Sequence, residues 1–378
     1  MDNRHSGPAQ RPRIAVVGAG PAGLTFANVL HRHGWSATIF DGDASVDARD
    51  QGGMLDLHPG EGQLALERAG LLERFVAIAR HEDQEQRLLD HMTAAVLHED
   101  VPLPGEGQRP EIDRLVLRRL LLSPLGEWDI RWAARVREVV AHPDGGHALR
   151  LDDGAVGPFD LVVGADGAWS RVRRAITPIM PDYTGISFVE FWLTDVDDRH
   201  TDLSRLVGRG TMFALGESKG LIAQRNGNAM IRVYAAFHRD LNDEELTGRP
   251  AMLGADTVLA LFDNWATPLR RLIADADRLA AVRPIMALAP ALDWPTRPGL
   301  TVIGDAAHVM PPLGTGVNLA MLDAADLADA LVSASDWREG VATFERGMFA
   351  RARGISIACQ HGFAEMFGAD GADNALDR

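Results

Sequence analysis

Apolar residues follow two different rhythms along this chain, and the change of rhythm marks its parts. Residues 14–17, 37–40, 161–164 and 300–303 are short apolar runs without alternation, the pattern of parallel strands covered on both faces. Between the first two runs a helical period over residues 22–33 is stopped by Gly34, so residues 14–41 predict one strand–helix–strand unit. From residue 185 to about 283 the rhythm becomes that of an antiparallel sheet. Residues 186–196, 211–215, 221–225 and 229–237 read as strands, with Asn226-Gly227 as a hairpin signal between the last two. A helix over 255–274 and a strand over 282–289 follow. Helical periods also cover 60–69, 114–122, 318–333 and 339–353; residues 82–108 read as a strand pair, and 130–140 with 147–152 as a hairpin.

The first unit carries chemistry as well as pattern. Gly18, Gly20 and Gly23 stand at the spacing GxGxxG between strand and helix. The first allows a tight turn, the second lets the backbone approach a pyrophosphate, and the third lets helix pack on strand. Free N–H groups at the helix start would hold the phosphates, and Asp41, ending the second strand, could accept from a ribose hydroxyl. A glycine-rich turn alone would be weak; strand, glycines, helix, strand and acid in order favour a dinucleotide. Two later strands also end in chemistry, Asp166-Gly167 and Gly304-Asp305, and Gly314 and Gly316 precede another helix start, the places where open α/β sheets put ligand contacts. Asp56 reads equally as a turn residue or as a ligand contact. Arg114 and Arg118 share one helix face behind Asp113, a natural N-cap, and are either solvated or phosphate-binding. The expected fold is α/β: a Rossmann-like domain from 12–180 and 282–350, an inserted antiparallel-sheet domain 181–281, and a C-terminal helix and tail 351–378.

Bulk properties mostly exclude. The 378 residues carry a formal charge of −15, which argues against nucleic acid or an anionic membrane surface as partner. Cys359 is the only cysteine, so neither an intrachain disulfide nor a cysteine metal cluster is expected. Residues 1–13 are polar, no run reaches transmembrane length, and the cytoplasm is the default expectation. Lys219 is the only lysine, and no Gly-Lys-Ser/Thr phosphate loop exists.

Taken together, the GxGxxG unit, Asp166-Gly167 before an arginine cluster, and Gly304-Asp305 with Pro312-Leu-Gly-Thr-Gly-Val-Asn318 resemble the single-component FAD-dependent aromatic monooxygenases, the para-hydroxybenzoate hydroxylase class. Within it, residues 52–58, 110–114 and 304–312 are most similar to the tetracycline-inactivating monooxygenases. The resemblance implies FAD as cofactor and NADPH as transient co-substrate. It also implies hydroxylation of an aromatic or polyketide-like molecule, tetracycline-type compounds included, by O2 through a C4a-hydroperoxyflavin. It places the FAD pyrophosphate on Gly18, Gly20 and Gly23 and the adenosine ribose on Asp41. Asp56, Arg118 and Arg114 would contact FAD, Asp166 and Gly167 would serve FAD and NADPH, and Arg49 would dock NADPH. Gly304 and Asp305 would meet the ribityl or pyrophosphate region, and Pro312, Gly314, Gly316 and Asn318 the isoalloxazine. No side chain is needed as a nucleophile, so no catalytic triad is named.

The inserted sheet would roof the substrate, with Glu190, Trp192, Met212, Phe213 and Arg225 as candidate pocket residues, although alternation turns only half of each strand inward. Phe188, Phe191 and Trp192 read more readily as core, and His308 as a structural hydrogen-bonder. Gly42 follows Asp41 where the family carries Arg or Lys, and Thr315 stands in the place of its loop glutamine. A flavin-dependent halogenase would need a lysine in the first third and a Trp-x-Trp-x-Ile-Pro run, and neither is present. A non-catalytic flavin-binding protein is the remaining alternative. The expected state of the protein is a monomer or homodimer.

Overall fold

The computed structural model describes residues 11–48, 52–81, 84–102, 108–126, 129–242, 244–245 and 253–368. Arg49 lies outside them. The unalternating apolar runs form one parallel sheet, in the order Leu300–Val302, Leu161–Gly164, Ile14–Val17, Ala37–Phe40, Ile130–Arg131. Ile14–Val17 and Leu161–Gly164 are buried along their whole length. Helix Pro21–Arg32 packs on helix Gly316–Ser333 over this sheet, and their buried Leu24, Phe26, Leu30, Leu319, Met321 and Leu327 belong to its core. Side chains of this size each contribute about 1.5–3 kcal/mol when fully buried.

Only the last part of residues 130–140 forms the expected hairpin with 147–152. Ala133 has a left-handed φ of 53°, and the N–H groups of Ala133 and Ala134 bind Asp43 O and Asp41 O. That turn breaks the run. Its first two residues join the parallel sheet, while Glu138–Ala141 pairs with His147–Leu151 in a three-stranded sheet completed by Gly154–Phe159.

The second large sheet has seven strands, in the order Arg278–Ala287, Asp182–Leu193, Met230–His238, Lys219–Asn226, Thr211–Gly216, Gln86–Asp90, Val96–Asp100. All neighbours are antiparallel except Thr211–Gly216 with Gln86–Asp90. Residues 82–108 thus hold the expected strand pair, and it extends the sheet built mainly from 182–287. Alternation gives this sheet two different faces. Val189, Phe191, Leu193, Met212, Ala214, Leu221, Ala223, Ile231, Val233 and Ala235 pack with Val258, Phe262, Trp265 and Leu269 into a second core. The predicted helix over 255–274 is two helices, Ala255–Ala260 and Thr267–Ala274. Pro268, lacking an N–H, stands in the first turn of the second one. The other face turns toward the parallel sheet.

The last helix, Trp337–Met366, runs unbroken for 30 residues rather than ending near 353. Cys359, Phe363 and the following Phe367 keep an apolar stripe buried beyond that point, so nothing stops it there. No helix among the described residues is long and apolar enough to cross a membrane.

Candidate active site

Three strand ends of the parallel sheet meet at one cleft. At the first, Gly18 adopts φ +107°, and a Cβ there would lie 2.3 Å from Ala165 O; a Cβ on Gly23 would lie 2.0 Å from Gly18 O. Both are packing requirements. Gly20 differs, since a Cβ on it would meet nothing within 4 Å. It stands at the N-cap of helix Pro21–Arg32, which has no side-chain cap. Asp41 grips this loop, accepting from Ala19 N at 2.7 Å and from Asp43 N at 2.8 Å. Arg118 completes the grip. It is 2 % exposed, donates to Ala19 O at 3.0 Å and to Asp43 Oδ2 at 2.9 Å, and stacks on Trp132. Arg118 therefore shapes the loop from behind. Arg114, one turn earlier, is exposed to the cleft and holds no hydrogen-bond or ion-pair partner on its guanidinium among the described residues. Asp113 stands at the N-cap of their helix as expected, but its carboxylate makes no capping hydrogen bond and pairs with Arg80 at 3.2 Å.

At the second strand end, Asp166 Oδ2 accepts from Arg171 N at 2.6 Å, while Oδ1 is buried without a partner. Burial holds this carboxyl above the usual carboxylate range, against hydrogen bonds from Ser170 and Arg171. Gly167 beside it is left-handed, φ +76°. Arg173, fully buried, ties this strand end to the third by donating to Ala168 O at 2.5 Å and Ala306 O at 2.8 Å.

At the third, Gly304 takes φ +60° and packs so tightly that a Cβ would lie 2.7 Å from that of Ala320. The turn presents Asp305 to the cleft, exposed. Asp323, fully buried on helix Gly316–Ser333, holds the turn: Oδ2 accepts from Gly304 N at 3.3 Å and from His308 Nε2 at 2.5 Å, and Oδ1 from Arg351 Nη2 at 2.8 Å. Burial pulls the His308 pKa down, but the charge and hydrogen bond of Asp323, with Asp305 behind them, outweigh it, and the net shift is upward. His308 is thus the structural hydrogen-bonder expected.

The loop from Pro312 to Gly316 passes in front, with Pro312 and Gly314 exposed; a Cβ on Gly316 would lie 4.0 Å from Asp305 Oδ1. Thr315 Oγ1 lies 3.5 Å from Cys359 Sγ of the last helix. Asn318 is not open to a ligand. It is fully buried, its Oδ1 accepts from His58 N at 2.8 Å and Gly62 N at 3.3 Å, and its Nδ2 donates to Asp56 O at 2.9 Å. It fastens residues 56–62 and the wide π-turn Pro59–Gln63 to the cleft, a distortion common at functional sites. The Asp56 carboxylate meets His58 Nε2 at 3.0 Å.

The sheet face across the cleft separates the expected pocket residues. Met212 lies in the helix-covered core and Arg225 binds Ser204 and Asp197 on that same far side; neither lines the cleft, because alternation turns both strand positions backward. Glu190, Trp192 and half-buried Phe213 alternate with far-side core residues and so face forward. They join residues the sequence reading missed or left as core: Phe188, Tyr234, Phe363 and Phe367. Phe188 lies 6.1 Å from Tyr234, 6.3 Å from Phe363 and 6.1 Å from Phe367, with Leu313 of the loop against this cluster. Phe363 and Phe367 gave no signal, standing in what read as a tail.

A glycine with open space at a helix start, a carboxyl oxygen orphaned among the described residues at the next strand end, and a guanidinium across the cleft likewise unpaired among them suit an extended ligand with a pyrophosphate and hydroxyl groups. Fold and site together define a nucleotide-binding flavoprotein with a second sheet over its cofactor cleft. The chain belongs to the FAD binding domain family, whose model matches residues 11–248 and 295–341, and it is an FAD-dependent monooxygenase of the aromatic-hydroxylase type. It is 31% identical over 374 residues to monooxygenase asqM of Emericella nidulans, covering 84% of this chain and 83% of that one. It is also 31% identical over 348 residues to 3-amino-4-hydroxybenzoate 2-monooxygenase PtmB3 of Streptomyces platensis, covering 88% and 82%. Among solved structures, Klebsiella pneumoniae HpxO with FAD and uric acid superposes with a TM-score of 0.78 at 19% identity over 97% of this chain and 91% of that one. Tetracycline destructase Tet(51) gives 0.71 at 18% over 97% and 94%. Both show the shared fold.

Proposed function

We propose that this monooxygenase hydroxylates a planar aromatic or polyketide-like molecule, with NADPH as reductant, and that the forward face of the seven-stranded sheet holds that molecule. The observation that carries the reading is the aromatic wall of Phe188, Tyr234, Phe363 and Phe367, which reaches the loop before Gly316 through Leu313. Flavin, when bound, supplies the redox and oxygen chemistry; the chain's own residues hold and screen it. Gly20 and the helix start behind it would take the pyrophosphate, and Asp166 Oδ1 and Asp305 would accept from ribityl or ribose hydroxyls. Asp41 and Arg118 keep the glycine loop in shape, and Asn318 does the same for residues 56–62. The aromatic wall excludes water and fixes the ring plane, which is where this class of reaction gains rate and avoids wasted reductant.

The test is NADPH consumption by the FAD-loaded protein across a panel of phenols, quinolones and polyketides, tetracycline among them, coupled to mass analysis. Accelerated oxidation with a product heavier by one oxygen supports the reading. Oxidation that no compound accelerates, with no product gaining mass, removes it.

A further inference from the structure

The seven-stranded sheet ends in an open edge. Strand Val96–Asp100 is its last member, paired on one side with Gln86–Asp90 and exposed at every one of its five residues. An edge of this kind offers a row of free backbone groups, and proteins usually shorten, charge or cover it. This one is acidic only at Glu99 and Asp100. Among the described residues ten large apolar side chains are exposed, and four of them, Met92, Val96, Leu97 and Val101, fall on this one hairpin and its end. Such clustering marks an interaction surface.

The order of residues along the edge suits its own copy. The register shifts between Val96, opposite Leu89, and His98, opposite Leu88, so Leu97 is an extra residue. Beyond the shift Glu99 turns to the side of the covering helices, where it meets Arg87 Nε at 2.5 Å while Arg87 Nη1 donates to Arg205 O at 2.7 Å. By alternation Leu97 and Val101 share that side, and His98 and Asp100 take the other. Two such strands paired antiparallel must match face with face. Centred on Glu99, the pairing sets Leu97 against Val101 of the second copy and His98 against Asp100, and the reverse of both. Apolar meets apolar, and an imidazole meets a carboxylate. Glu99 meets its own equivalent, but each is already held by the Arg87 of its chain. A centre at His98 would set Leu97 against Glu99, and a centre at Asp100 would oppose two Asp100 carboxylates, a destabilising pair. On the helix side a cavity of about 510 Å³ opens beside the edge, lined by Leu89, Ala94, Val96, Leu203, Leu206 and Pro268. It offers an apolar seat to the Val101 that the pairing brings to Leu97.

We propose that two copies of this chain associate through residues 97–101, antiparallel about Glu99, and so join their seven-stranded sheets edge to edge. The contact is isologous, so every favourable pair occurs twice, and it covers the open edge of both copies. It leaves the cleft open, because the aromatic wall belongs to strands Asp182–Leu193 and Met230–His238 and to the last helix. The association does not depend on which substrate is turned over.

Sedimentation velocity of the FAD-loaded protein over a dilution series tests this, with a reversible dimer as the expected result. His98→Asp sets acid against acid at both ends of the pairing and should weaken self-association about 10-fold or more. His98→Asp combined with Asp100→His exchanges the two groups and should recover it. Val101→Asp should weaken it as well. These positions are exposed, so each variant should melt as the parent does, which separates lost association from lost folding. Glu99→Cys, oxidised with diamide, should form a disulfide between two copies, the two thiol hydrogens passing to the diamide. Met92→Cys, at the hairpin turn away from the axis, should not, and the native Cys359 is buried. A chain that stays monomeric at every concentration overturns the proposal. So does a dimer that tolerates both His98→Asp and Val101→Asp, an exchange that fails to recover what His98→Asp loses, or crosslinking as ready at residue 92 as at residue 99.

Discussion

Gly18, Gly20 and Gly23 share one motif but answer to different constraints, and substitution should separate them. Gly23→Ala drives a Cβ to 2.0 Å from Gly18 O, an overpacking that costs about 1–3 kcal/mol or more, so its thermal midpoint should fall with or without FAD. Gly20→Ala meets open space at an ordinary φ of −83°. The flavin-free protein should melt as the parent does, while FAD affinity drops about 10-fold or more because the methyl occupies the phosphate's place; calorimetric titration with FAD decides it. Asp323 makes a different prediction, through pH. His308 has its pKa raised in the folded protein above an unfolded value of about 6.5. Its contribution to stability is then fully present below that value and is lost as pH rises through the folded pKa. The thermal midpoint should decline over that window, and His308→Gln should flatten the decline. Asp323→Asn should do so too and loosen FAD, because the Gly304 turn and Arg351 lose their shared anion. The glycines were legible in the sequence because their spacing between strand and helix is local, even though Gly18 answers to Ala165 O of a distant strand. Asp323 was not, since its meaning lies in Gly304, His308 and Arg351, which only the packed helices bring to it.

Among the elements, local periodicity told strand from helix, but partners and faces needed the rest of the fold. Residues 82–108 were readable as two strands, yet no local feature says that Gln86–Asp90 pairs with Thr211–Gly216, a contact across more than a hundred positions that only the sheet edge supplies. Met212 and Phe213 illustrate the limit of alternation: it guarantees that one is inside and the other is not, and leaves open which core claims Met212. Here the helices Ala255–Ala260 and Thr267–Ala274 claim it. The helix Gly316–Ser333 was readable, whereas Asn318 at its first turn was assigned to the ligand on resemblance and is instead spent on the chain. Asn318→Ala removes the side-chain amide from backbone partners at Asp56, His58, Gly62 and, more distantly, Gly314, which costs about 1–3 kcal/mol. The expected signature is local. Amide hydrogen exchange should quicken at residues 56–63, while the far sheet core around Val233 keeps its protection. Uniform loss of protection would mean that Asn318 supports the whole domain rather than this one segment.

At the scale of the molecule, two sheets with different rhythms face one another, and a single helix joins their business. Helix Trp337–Met366 touches the cofactor turn through Arg351 and Asp323, approaches the glycine loop ahead of Gly316 where Cys359 meets Thr315, and ends with Phe363 and Phe367 on the aromatic wall. On the proposed reading its early part serves cofactor retention and its late part the substrate recess, so removing one aromatic late in the helix should affect coupling without affecting binding of FAD. Phe363→Ala deletes a ring whose centroid is 4.8 Å from that of Phe367 and 6.3 Å from that of Phe188. The loss costs about 3–5 kcal/mol of stability and opens the recess to water. Because water exclusion is what protects activated oxygen from wasted breakdown, the variant should consume NADPH at a rate close to the parent's but release a larger share of its oxygen as hydrogen peroxide. Peroxide yield per NADPH, measured with a substrate found in the panel, checks this against FAD affinity measured on the same preparation. An unchanged yield would show that the wall only packs, and weaker FAD binding together with an unchanged yield would place Phe363 with the cofactor end of the helix instead.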